Sequence, residues 1–551
     1  MLCTGRIAKP LAWFILALSF GLAGRAAQNS GYVGSKTCYG CHAEIYKSFS
    51  KTDMGRSLRP ASDLNGSSVP NKARVPIGSD GRVARVFQDD AGWRQSEEQP
   101  GVFTDEHELA YITGSGRNGL SFIVRRGNAF LQAPLSYYSK TGRWDLSPGY
   151  EQADIGFSRA IPEECIACHS GRARPVETRK GEYLDPPFAE MAIGCENCHG
   201  PGEAHAHDPK RAASIVNPGK LTPRLAEEIC MNCHQRGDAR VLQPGKHVLD
   251  FRPGEWTFET IAIFKIPTTP GERKESDLLE HNTAMKDSRC FLESRGRLSC
   301  LTCHDAHVQP GPNESVAYFR AKCFTCHTDE SCHVPVKQRA AQNPADNCTG
   351  CHMPKREVAG IAHSALTNHR IPARTDEPMP EAPKVNKLGL IVVNEPAGNA
   401  TVPDDTLLRA YGELAGVDAS YQARYLELLS RLAETRRADP LVEAALGHKA
   451  LAEGGSEAAL AHLSKGLQLH EPAVYVDMAK ALLSIGREGE AAGYLQQASE
   501  LDPYDFTILK MLILQNIKLK NYSEARAGME KYVSLWPEDS FMRDLLRRVS
   551  K

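Results

Sequence analysis

The five-residue word Cys-x-x-Cys-His occurs seven times in this chain, and no other feature restricts its fold as strongly. The copies run through Cys38, Cys41 and His42; Cys165, Cys168 and His169; Cys195, Cys198 and His199; and Cys230, Cys233 and His234. Three more follow: Cys300, Cys303 and His304; Cys323, Cys326 and His327; and Cys348, Cys351 and His352. They use 14 of the 17 cysteines. Paired Cys-x-x-Cys units could supply the four tetrahedral ligands of zinc, but zinc gives no reason for a histidine after every second cysteine. A redox dithiol gives none either, and would occur once. A covalently attached c-type haem accounts for the whole word: two thiols add to the two vinyl groups, and the next imidazole becomes the proximal iron ligand. Seven haem c groups are therefore expected, each held by one cysteine pair and one proximal histidine.

The opposite faces of the irons draw on the remaining histidines. Of 19 in all, seven are proximal and His448, His462 and His470 lie in a helical tail. Nine remain: His107, His205, His207, His247, His281, His307, His333, His363 and His369. His107 is embedded in a strand-like stretch and is the weakest; the other eight are candidate distal ligands. His205 and His207 in "CHGPGEAHAHD" and His307 in "CHDAH" follow haem words so closely that each is expected to reach a neighbouring haem rather than its own. Methionine is the other common sixth ligand, so Met54 joins the candidate list, with Met285 behind it; core packing is the alternative for both. Cys290 and Cys332 stay over as an even pair, open to a disulfide, to buried thiols or to a thiolate ligand.

Arg6 and Lys9 precede an apolar run from Leu11 to about Leu22, with small residues at Ala23, Gly24 and Ala26. This reads as a cleaved signal peptide over 1–26, because the run falls short of the ~20 residues that cross a bilayer. An exported, periplasmic protein without a transmembrane span in its mature form follows, in the compartment type where c-type haem is attached in bacteria. A formal net charge of −1 offers no electrostatic reason for nucleic-acid binding.

The gap between the first and second haem words alternates apolar and polar residues from about 85 to 150, as in "LSFIVRR" with a Gly127-Asn128 turn after it, and predicts a small antiparallel meander. "GSGRNG" at 114–119 matches a dinucleotide fingerprint in letters only: a strand follows it, where pyrophosphate binding needs a helix, so it is a glycine turn. Residues 31–375 leave only about 50 residues per haem, too few to bury each macrocycle in its own core. The haems must then pack on one another as the hydrophobic core, and the apoprotein is not expected to fold. The fold class expected is mainly α: a haem-stack cytochrome domain with the meander inserted, then a helical repeat solenoid. Residues 376–405 are proline-rich and read as a linker, with one strand at "LGLIVV". Over 406–551, Pro440, Pro472, Pro503 and Pro537 recur 32, 31 and 34 residues apart, near the tetratricopeptide period. About three stacked helical hairpins and a capping helix are expected, with a concave face of the kind that docks protein partners.

Together, "GSKTCYGCHAEIYKSF", "AIGCENCHGPGEAH", "GRLSCLTCHDAH" and "CTGCHMPK" resemble the multihaem c-type cytochromes of the c-552/c-554 group, which takes in pentahaem nitrite reductase and octahaem hydroxylamine oxidoreductase. The resemblance covers most of residues 31–375. It implies haems in close pairs that pass electrons along a row, and it implies His205 and His307 as distal ligands. The chain departs from the group in two places. It has no Cys-x-x-Cys-Lys, the word that marks the catalytic haem of the nitrite reductases, and Met54 stands where relatives often have a histidine. The expected function is electron transfer along a haem chain, with redox protein partners and a partner docked by the tail. The alternative is an oxidoreductase in which one open iron face acts on a small nitrogen or sulfur oxyanion. Haem propionates add about 14 carboxylates to the sequence charge, which favours basic docking partners.

Overall fold

The computed structural model describes residues 31–64, 68–150, 156–211, 214–267, 280–355, 367–374, 377–378, 389–396 and 401–549. The leader read at 1–26 and His363 lie outside them, as does half of the proline-rich segment 376–405.

Nine strands occupy the gap between the first two haem words: β1 (Leu58–Pro60), β2 (Lys72–Ile77), β3 (Arg82–Asp89), β4 (Gly92–Gln99), β5 (Phe103–Thr113), β6 (Gly119–Arg126), β7 (Ala129–Gln132), β8 (Leu135–Tyr138) and β9 (Arg143–Leu146). They form one antiparallel sheet in the order β2-β3-β4-β5-β6-β8-β9, with β1 paired to β5 and β7 to β6. β2 comes back against β9, and the Trp144 indole donates to Pro70 O at 2.9 Å, so the sheet curls into a nearly closed barrel. Alternate side chains turn inward. Val86, Trp93, Ile112, Phe122, Leu135 and Trp144 meet in the barrel core. Gly127, at φ 60°, makes the two-residue turn between β6 and β7. Of the "GSGRNG" glycines, Gly114 and Gly116 lie in the loop between β5 and β6 at φ 97° and 93°, and Gly119 opens β6.

This barrel corrects the expected fold class. The N-terminal part is not a mainly α haem-stack domain with a small meander starting near residue 85; a nine-stranded barrel-like sheet dominates it from Leu58 onward. Two physical reasons hid it. β2, "KARVPI", carries Pro76, which argues against a strand, and β1 is three residues long. The pairing of β1 is also long-range, Leu58 opposite Thr113, and is fixed by closure of the sheet rather than by any local pattern.

Helices before residue 404 are short. The haem words sit on or beside the helices Ser35–Tyr39, Glu163–Ala167, Glu196–His199, Pro223–His234, Cys300–Cys303, Ser315–Cys323 and Cys348–His352. The longest of these starts where rules for helix entry place it, with the Thr222 hydroxyl accepting from Leu225 N and Pro223 in the first turn. β10 (Arg172–Pro175) pairs with β11 (Tyr183–Glu190), and β12 (Ala239–Leu242), β13 (Ile261–Lys265) and β14 (Ile391–Val392) make a three-stranded sheet. β14 is the strand expected in "LGLIVV".

From Asp404 the chain is helical hairpins: 404–415 with 420–435, 440–452 with 456–466, 472–484 with 488–501, and 506–518 with 522–535, closed by Ser540–Val549. One hairpin more is present than the proline spacing predicts, because the first precedes Pro440. Both ends of this tail rest on the rest of the molecule. At its start, Leu407, Leu408, Tyr411, Leu414 and Leu428 share a core with Val241, Phe258 and Phe264 of the three-stranded sheet region. At its end, Arg126 of β6 donates to Ser534 O at 2.7 Å, and Lys180 in the β10–β11 connection pairs with Asp502 at 2.9 Å. Among the described residues no helix is long and apolar enough to cross a membrane.

Candidate haem sites

The haem words bring their histidines together in facing pairs. The His42 and His205 rings stack at 6.4 Å between centroids with planes 14° apart, and His199 and His307 at 6.0 Å and 13°. His304 and His369 stack at 6.3 Å and 28°. Two metal–nitrogen bonds of about 2 Å, plus about 1 Å from each nitrogen to its ring centre, put coaxial imidazoles about 6 Å apart. The centroid separations of these pairs match that spacing. His281 approaches His234 edge-on at 5.4 Å and His369 at 4.6 Å, which completes a second group of four. Among the described residues no group of three or more His, Cys, Asp or Glu side chains is placed to hold a bare metal ion.

Hydrogen bonds fix the ring tautomers. Nδ1 of His199 donates to Val216 O at 2.8 Å, Nδ1 of His352 to Pro372 O at 2.9 Å, and Nδ1 of His369 to Thr367 O at 2.9 Å. Each leaves Nε2 free for a metal, the usual device for orienting a ligating imidazole. Nδ1 of His205 and of His281 are buried without a hydrogen-bond partner. Desolvation, then the imidazoles of His369, His234 and His304, pushes His281 down to about 3. Desolvation first, then His369 and His234, pushes His304 down to about 4. Both rings are held neutral, the form that binds metal.

The attachment thiols also meet between words. Cys38 lies against Cys195, Cys168 against Cys233, and Cys230 against Cys300. Beside Cys168 a cavity of about 200 Å³ is lined by Tyr32, Arg172, Glu190, Asn232 and Arg240 among others. Its two guanidiniums suit a group carrying carboxylates. All sixteen described cysteines are free thiols, Cys290 and Cys332 included.

The segments that carry the haem words have almost no apolar core of their own. Among the described residues, no hydrophobic side chain is buried between Met285 and Leu390, a stretch holding three of the words. None is buried between Gly31 and Ser57 or between Gly194 and Leu225 either. A large apolar group attached at each cysteine pair fits this deficit.

Other candidates are not drawn into these groups. His207 and His333 are exposed. His247 is held at Nε2 by Glu163 at 2.6 Å, and its Nδ1 accepts from Leu249 N. His107 sits on β5 against Asp105 and Phe157. Met54 is half-buried, in the turn that precedes β1, while Met285 is buried. His327 is exposed, and His169 is tethered through its carbonyl to the Ser57 hydroxyl at 2.8 Å.

Sequence reasoning missed the acidic clamps. Glu196, between the two cysteines of its word, is 4% exposed and accepts from Val33 N, Gly34 N and Gly202 N at 2.7–3.2 Å. Glu190 accepts from Ser35 N, and Ser35 Oγ accepts from Cys195 N at 2.9 Å. These bonds pin the first haem word to the third. The only signal in the sequence was a carboxylate inside a Cys-x-x-Cys spacing, where most words here carry neutral residues.

Residues 149–200, which hold the second and third haem words, match the family model described as cytochrome c554 and c-prime. No curated protein matches the chain. Solved structures similar to it include the APC/C hetero-tetramer Cut9-Hcn1, at 18% identity over 26% of this chain and TM-score 0.23. MamA 41-end from Desulfovibrio magneticus matches at 17% identity over 25% of this chain and 78% of its own, TM-score 0.22. The second TPR domain of human RPAP3 in complex with an HSP70 peptide matches at 22% identity over 20% of this chain and 99% of its own, TM-score 0.18. The chain spans 29% of the length of the Cut9-Hcn1 chain it matches. Scores this low leave the repeat reading to the helix pattern of the tail itself. The cytochrome match and the pairing of imidazoles around haem words point the same way.

Proposed function

We propose that this protein is an exported multihaem c-type cytochrome that carries seven covalent haems and moves electrons between protein partners. The observation that carries the reading is the facing of His42 with His205 and of His199 with His307 at an iron-sized separation. When bound, each haem supplies a one-electron ferric/ferrous couple. The chain's own residues attach, orient and insulate. The fourteen word cysteines anchor, and His42, His169, His199, His234, His304, His327 and His352 ligate the proximal faces. His205 would hold the opposite face of the haem of His42, His307 that of His199, His369 that of His304, and His281 that of His234. Each distal ring comes from a different segment than the haem it caps, so capping ties separate segments together.

Contacts between words support a continuous route. The first meets the third through Cys38 and Cys195, and the third meets the fifth through His307. The fifth meets the fourth through Cys300 and Cys230, and the fourth meets the second through Cys233 and Cys168. The sixth and seventh words lie together on the packed helices Ser315–Cys323 and Cys348–His352. Axial ligand, burial and hydrogen bonding then set potentials within a range of about 0.8 V. The helical tail serves as the docking element for a protein partner.

The test is the holoprotein produced in a host with a haem-attachment system. Its mass should exceed the mature sequence by seven haems, and its oxidised low-temperature EPR should hold at least four low-spin haems, those with a distal histidine placed opposite the proximal one. Fewer attached haems would reduce the count, and a high-spin signal amounting to one haem would move the reading to an open-faced enzyme.

A further inference from the structure

The two ends of the helical tail are fastened by different chemistry. The first end is apolar: Leu407, Leu414, Leu428 and Leu432 are continuous with the core of the three-stranded sheet region. At the other end, the contact with the barrel is polar and incompletely paired. Buried atoms without a hydrogen-bond partner gather there: Arg126 Nη1 on β6, and Glu538 Oε2 and Arg543 Nε on the tail. A polar, under-satisfied contact between parts of one chain is the kind that opens.

At its centre two carboxylates converge. Glu97 on β4 is 1% exposed, and a Cβ placed on Gly156 would lie 3.0 Å from Glu97 Oε2 and 3.8 Å from Glu538 Oε2. One guanidinium serves them. Arg82 Nη1 lies 3.3 Å from Glu97 Oε1, but its Nε is engaged by Asp80 at 2.7 Å. We propose that the C-terminal end of the tail is a pH-gated latch on the barrel, closed while a proton is held by the Glu97–Glu538 pair and released when that proton is lost.

Among the described residues the other charged groups do not relieve the pair. On the barrel side Asp105, bound to His107 at 2.7 Å, adds a further negative charge. Tyr150 donates its hydroxyl to Gln132 O and Gly156 O, and Arg159 donates to Pro148 O at 2.8 Å. On the tail side Asp539 is taken by Lys510 and Tyr532, and Arg543 lies over the Phe103 ring. Burial, with the neighbouring carboxylates adding to it, pushes Glu97 and Glu538 each up to about 7. Released, each returns to the ordinary carboxylate range, so the closed form binds more protons. Closure is therefore fully favoured below the released value. It weakens roughly tenfold per pH unit per proton as pH rises towards the closed value, and levels off above it.

Hydrogen–deuterium exchange of the full holoprotein, expressed as protection factors so that intrinsic pH effects cancel, tests this directly. Between about pH 5 and about pH 7.5, protection of residues 534–543 and of β4 should fall by roughly tenfold or more, while that of 407–432 stays constant. In Glu97→Gln with Glu538→Gln the fall should vanish. The single variant Glu538→Gln, should the pair not fold, should show a shallower fall. Unchanged protection of 534–543 in the wild type, or a wild-type pH profile in the glutamine variants, overturns the latch. The experiment does not depend on the redox reading, since no haem ligand takes part in the contact.

Discussion

A stacked imidazole pair at about 6 Å predicts a specific loss when one ring goes. His205→Ala should add one haem's worth of high-spin signal to the ferric EPR of the holoprotein, because His42 then holds its iron alone. His207→Ala, two residues on and exposed, should leave the spectrum unchanged. Glu196→Gln should lower the thermal midpoint: the buried carboxylate accepts from three backbone amides, and weakening those bonds costs about 1–3 kcal/mol. The proposed proximal set rests on the sequence alone, because a covalent attachment word states its own geometry. For the opposite faces the sequence offered only a pool of histidines. Spacing along the chain places His205 beside the third word, but folding turns its ring towards His42 from the first. Glu196 was not legible, since a buried clamp and a surface acid are the same letter.

At the level of elements, the tail was readable and the barrel was not. Prolines at a near-constant period and small residues at fixed offsets are local signals, and they returned helical hairpins. Gly447 is where the two helices of the second hairpin come close: a Cβ there would meet Leu463 Cγ at 2.5 Å and Leu463 N at 3.1 Å. Gly447→Ala should therefore destabilise the tail by about 1–3 kcal/mol, seen as an earlier helical melting phase. Met529→Ala, emptying a fully buried position in the last hairpin, should cost about 2–5 kcal/mol. The barrel strands from β2 onward are joined by short turns, but its closure is not a local signal. β6 to β9 announced themselves by alternation and a glycine turn, whereas β1 is a strand only because β5 lies beside it and Pro76 masks β2.

Across the whole molecule, stability is divided unevenly. The barrel and the tail each own a core of buried apolar side chains, and the haem-bearing segments between Met285 and Leu390 have none among the described residues. The expectation that the entire apoprotein fails to fold therefore narrows to those segments. Produced without haem attachment, the chain should keep the circular dichroism of sheet and repeat helices while residues 286–355 exchange freely and are cut first by protease. That uneven division sets a timetable for biogenesis. A barrel that needs no cofactor can close as soon as it is made, while the late words stay open to the enzymes that must reach their thiols. The missing core between 286 and 355 is in that sense an access window, and the supply of cofactor, rather than the rate of synthesis, would govern how much finished protein accumulates.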